Sequence, residues 1–110
     1  MESEQPPSRE SVIACRLDAI PSERAAHVSL AALLFRQLKP DRQELSDGYE
    51  FRFAGSRIEE VARFIANERH CCPFVTFELI SSAGSDHVLL RMTGPPGTRE
   101  ILRAALVSDS

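Results

Sequence analysis

One dipeptide, Asp47-Gly48, does most to limit what this chain can fold into. Asp-Gly suits the two-residue turn of a β-hairpin, in which the central residues take positive φ. It joins a short strand candidate, Arg42–Leu45, to Tyr49–Phe53, where Tyr49, Phe51 and Phe53 share one face and Glu50 and Arg52 the other. That alternation is the period of a half-buried strand. The chain must therefore build an antiparallel sheet with one apolar face, and other elements must cover that face.

Two segments read as the covering helices. The first opens at Pro21-Ser22 and runs to about Leu38, where Pro40 biases Lys39 out of the helical region. Its apolar stripe holds Leu30, Ala31, Leu34 and Leu38, and His27 falls on the same stripe. The second is expected to begin with a capping box, Ser56 and Glu59. It carries Ile58, Val61, Ala62 and Ile65 inward and ends near Cys71 or Cys72, because Pro73 follows. Further strands are expected at Ser11–Leu17, Phe74–Ile80 and Asp86–Thr93, and a closing helix at Thr98–Val107 after the turn Gly94-Pro95-Pro96-Gly97. The order is α+β. It predicts a ferredoxin-like β-α-β-β-α-β arrangement with an added strand and a C-terminal helix, both long helices on one face of the antiparallel sheet. In that scheme Ser11–Leu17 is central, between Tyr49–Phe53 and Phe74–Ile80.

With 110 residues the chain is expected to form one domain over 11–107 behind a flexible polar leader, 1–10. The net charge of −3 argues against a nucleic-acid or anionic-membrane partner. The aromatic residues sit at core positions, so base stacking on the sheet is not expected either. The longest apolar run, Leu30–Phe35, is too short to span a bilayer, and the first ten residues lack the pattern of a secretory signal. Three cysteines with no such signal point to a cytoplasmic protein with reduced thiols.

The chemistry concentrates in Glu68-Arg69-His70-Cys71-Cys72-Pro73-Phe74. Adjacent cysteines do not close a disulfide cheaply, so a dithiol or a metal thiolate is the expected state of the pair. The expected topology brings Cys15 to the same end of the sheet, within about 10 Å of the pair by strand and layer spacings. Cys71, Cys72 and Cys15 are thus the candidate metal ligands. Glu68 lies three residues before Cys71 and four before Cys72, on the same helix surface. With His27 and His70 it is a candidate supporting group. Three sulfurs suit Hg²⁺, Cu(I), trivalent arsenic or Zn²⁺. Zinc ranks last, because its motifs space their cysteines by two to four residues.

The segment Glu68–Leu79, together with Ala14–Asp18, Gly48–Phe53 and Leu90–Pro95, resembles a group of small, mostly uncharacterised bacterial proteins that carry an E-R-x-C-C-P-F motif. The resemblance spans about residues 12–106. It implies a role in heavy-metal resistance, mercury included, with thiol-dependent metal handling at Cys71 and Cys72 and Cys15 as the third sulfur. Two other functions compete with metal capture. A thiol enzyme would use thiolates to grip an organometallic substrate and a carboxyl group to handle the proton. A non-metal interaction module would use the cysteines only as small buried hydrophobes.

Overall fold

The computed structural model describes residues 24–107. The expected strand Ser11–Leu17, Cys15 within it, and the expected helix start at Pro21-Ser22 lie outside the described residues. Strand β1 (Asp41–Leu45) and strand β2 (Gly48–Ala54) form a hairpin as anticipated, with Leu45 opposite Gly48 and Asp41 opposite Arg52. Its two-residue turn is Ser46-Asp47 and not Asp47-Gly48: Gly48 is the first residue of β2, and neither Asp47 nor Gly48 has the expected positive φ. Gly48 is required by a close approach: a Cβ there would lie 1.9 Å from the carbonyl oxygen of Met92. Strands β3 (Thr76–Ser81) and β4 (His87–Thr93) form a second antiparallel pair.

The two pairs join edge to edge through β2 and β4, in the order β1-β2-β4-β3. This corrects the expected order. The place beside β2 assigned to Ser11–Leu17 is taken by β4, and β2 has no other edge to offer. The reason lies in side-chain matching across the ladder. Tyr49, Phe51 and Phe53 stand opposite Met92, Leu90 and Val88, and all six are buried. Cross-strand apolar pairs of this kind are the unit of sheet stabilisation. Because β2 and β3 are each antiparallel to β4, they run parallel to one another, and the helix between them is the crossover of a βαβ unit split by β4.

Helix α1 (Arg24–Ala32) widens into a π turn over Leu33–Gln37, where the Leu38 N–H reaches the Leu33 carbonyl at 2.9 Å. Helix α2 (Ile58–Cys71) is entered through a 3-10 turn, Gly55–Arg57. The expected capping box does not form. Arg57 holds the cap position with no side-chain cap, and the turn is tethered instead by the Gly55 N–H on the Asp86 carbonyl at 2.8 Å. Helix α3 (Thr98–Leu102) runs on as a second π turn, Arg103–Val107.

The inner face of the sheet is covered by Leu30, Leu34 and Phe35 from α1, Val61 and Phe64 from α2, and Leu102 and Leu106 near the C-terminal end. The inward stripe of α2 is Val61, Phe64, Glu68 and Cys71, at helical spacing. It differs from the expected one: Ala62 is exposed and Ile65 only half-buried. The opposite sheet face carries charge, with Arg91 bonded to Glu50 at 2.9 Å and close to Glu78. A sheet covered on one face only produces this alternation. No described helix is long and apolar enough to cross a membrane.

Candidate metal and thiol site

The end of α2 positions the site. Pro73 has no N–H with which to continue the helix, so the last turn closes at Cys72, whose N–H bonds the Glu68 carbonyl at 2.7 Å. The Val75 N–H then returns to the Cys72 carbonyl at 3.1 Å. This tight exit turns both cysteine side chains inward, and both are fully buried. Glu68, one turn earlier on the same stripe, is only 7% exposed.

A buried carboxyl group is costly unless it finds partners. Glu68 has one on each oxygen. His27, on α1, places Nε2 at 2.5 Å from Oε1, and the Cys72 sulfur stands 3.1 Å from Oε2. The His27 ring is itself buried, stacked on Phe64 with centroids 5.5 Å apart. Its Nδ1 is buried with no hydrogen-bond partner among the described residues. If Nε2–H donates to Glu68, Nδ1 carries a lone pair that nothing else uses. Metal-binding histidines show this pattern, one ring nitrogen held by a carboxylate and the other left to the ion.

Cys71 completes the group. Ligand atoms of His27, Glu68 and Cys71 all lie within 4.8 Å of one another, and all three residues are buried. A nitrogen, an oxygen and a sulfur at such separations can hold a metal ion.

Cys72 differs from the expectation of reduced thiols, because its sulfur is disulfide-bonded. Cys71 retains its thiol, so the bond does not join the two neighbours. In the disulfide form Cys72 has no proton to donate. Its approach to Glu68 is then a sulfur–oxygen contact, which becomes a thiol–carboxylate hydrogen bond on reduction.

The structure thus brings together four of the six residues singled out from sequence: Cys71, Cys72, Glu68 and His27. His70 is exposed and stands apart from the group, and Cys15 lies outside the described residues. Phe64, the surface on which His27 rests, is not among the inward residues expected from sequence. The spacing Phe64-Glu68-Cys71, a helical repeat of four and three, was the signal available for it.

Beside the site is a cleft of about 340 Å³ between α1 and the C-terminal π turn. His27 and Glu68 reach its wall, with Val28, Ala31 and Leu106 among the apolar lining. Neither cysteine does.

Comparison with protein-family profiles, with characterised proteins and with solved structures finds no match to this chain.

Proposed function

We propose that this protein binds a metal or metalloid ion through the buried group His27, Glu68 and Cys71, with Cys72 joining when its disulfide is reduced. The observation that carries this reading is the convergence of three ligand atoms of different chemistry within 4.8 Å, in a place sheltered from water. The unused Nδ1 of His27 supports it.

The donor set sorts the candidate ions. With Cys72 oxidised, one nitrogen, one oxygen and one sulfur suit a borderline ion such as Zn²⁺. With Cys72 reduced, a second sulfur borders Glu68, and Hg²⁺, Cu(I) and arsenite gain, since soft ions select thiolates. The likeness of Glu68–Leu79 to the E-R-x-C-C-P-F segment of proteins linked to heavy-metal resistance supports the same reading.

The test is a titration of the oxidised and the reduced protein with Co²⁺, as a coloured stand-in for Zn²⁺, and with Hg²⁺ and arsenite. Thiolate-to-metal absorption should appear and, in the oxidised protein, should vanish in Cys71→Ser. His27→Gln should weaken binding by about tenfold or more, the scale seen when a group supporting a metal site is lost. Absorption in the oxidised protein that survives Cys71→Ser, or none with any ion in either redox state, would refute the proposal.

A further inference from the structure

The cleft beside His27 continues into a second cavity of about 250 Å³, and the two share Phe35, Arg36 and Leu106 as a common wall. The second cavity is apolar at its floor, where Phe35, Phe51 and Leu106 lie. Three cations stand around it: Arg36, Lys39 and Arg42. All three are exposed, and none makes an ion pair or a side-chain hydrogen bond among the described residues. Arg57, Arg91, Arg99 and Arg103 each stand beside a glutamate. Arg24, Arg52, Arg63 and Arg69 make no ion pair among the described residues either, and what sets Arg36, Lys39 and Arg42 apart is that they border one cavity. On a chain of net charge −3, three cations gathered at the rim of one cavity with an apolar floor form a local positive patch.

The backbone adds an independent observation. Lys39 has φ 48°, the left-handed region, and is the one described non-glycine residue with positive φ. That region is sparsely populated by side-chain-bearing residues and has a cost, so such residues concentrate at binding and catalytic sites. The two π turns, Leu33–Gln37 and Arg103–Val107, supply Phe35, Arg36 and Leu106 to the same cavity. Local π turns in helices are frequent at functional sites for the same reason.

We propose that this groove is a binding site for a small single-tailed amphipathic anion. Its anionic head would pair with Arg36, Lys39 and Arg42, and its apolar tail would lie over Phe35 and Leu106 towards Ala31. The arginine forks match a carboxylate or a phosphate head, and the guanidinium groups need no desolvated partner of their own to be displaced. The two cavities together fall in the size range of small-molecule pockets. The proposal stands on this groove alone and not on the metal reading.

The experiment is calorimetric titration of the full chain in the presence of EDTA, so that a failure here leaves the metal reading untouched. Decanoate and decyl phosphate, below their micelle concentrations, are compared with decanol and with acetate. Saturable one-to-one binding is expected for the two anionic amphiphiles, with the stronger of them identifying the head group. Decanol and acetate should bind at least about tenfold more weakly, a difference of about 1.4 kcal/mol. Arg36→Gln/Arg42→Gln should abolish most of the preference for decanoate over decanol, and Leu106→Gln should weaken both. No saturable binding of either anion, equal binding of decanol, or a double variant that binds decanoate as well as the parent would overturn the proposal.

Discussion

Glu68 and Glu44 each meet more than one other side chain, and the contrast between them shows what burial does to a carboxyl group. Glu44, on β1, sits at the surface with Arg103, Arg99 and Tyr49 around it. Its side chain is 45% exposed and that of Arg103 is 53% exposed. The Arg103 guanidinium, donating to the Tyr49 hydroxyl at 2.9 Å and facing Glu44, is held above the ordinary arginine range. It stays charged whatever its neighbours do, so nothing in that cluster switches. Glu68 is nearly closed off, and its partners among the described residues include an imidazole and a sulfur, groups whose protonation and oxidation states change the bonds they make. A surface cluster of permanent charges is screened by water and salt. A buried cluster of convertible groups is not, and there a ligand or a proton has leverage on the fold.

The largest effect expected from this contrast is metal-dependent stabilisation. At a hundredfold excess over Kd, a bound ion should raise the unfolding free energy by about 2.7 kcal/mol. Denaturant curves with and without Zn²⁺ should show it for the parent and for Glu44→Ala, and not for Cys71→Ala. A shift that persists in Cys71→Ala would move the site elsewhere.

Next comes the cost of breaking the buried group without metal. Glu68→Ala strands His27 in the interior and should destabilise by roughly 1–3 kcal/mol. Glu44→Ala should cost no more than about 1 kcal/mol, the usual worth of an exposed ion pair. Equal losses at the two positions, measured by urea unfolding, would erase the distinction drawn here.

A sharper version removes both buried partners at once. His27→Phe/Glu68→Leu replaces the pair by apolar groups of similar size and should lie within about 1 kcal/mol of the parent, better than Glu68→Ala alone. The same double variant should lose metal binding. Stability close to the parent with binding gone would show that the group is kept for its chemistry and not for the fold.

The smallest effect is that of salt. Raising ionic strength should shrink the stability difference between the parent and Arg103→Ala, since exposed charges are screened beyond a Debye length of about 10 Å at 0.1 M. The cost of Glu68→Ala should not change over the same range.

Much of the local structure was legible in the residues. The alternation through Tyr49, Phe51 and Phe53 and the stop at Pro73 depend on neighbours a few positions apart, and those elements stand where the signals put them. The hairpin announced by Asp47-Gly48 also forms, but its two-residue turn is Ser46-Asp47, one position earlier, with Gly48 already in β2. The capping box at Ser56 failed because its competitor is remote: the Gly55 N–H is drawn to Asp86, across the sheet. The stripe of α2 was read too far round, because apolar Ile65 is the obvious inward choice and charged Glu68 is not.

By itself the sequence determined that an antiparallel sheet with one apolar face exists, that helices cover it, and that a carboxyl group and two cysteines share the end of one helix. Periodicity and steric rules decide such things locally. Tertiary structure alone decided that β4 and not another strand lies beside β2, because any alternating apolar strand matches β2 in pattern and only packing selects among them. It also decided that His27 meets Glu68 across 41 residues of chain. Each was foreseeable as a polar residue on an apolar face. That the two satisfy each other, and that Cys71 closes the group, follows from how α1 and α2 lie against one sheet, where burying one polar group without the other would be unfavourable.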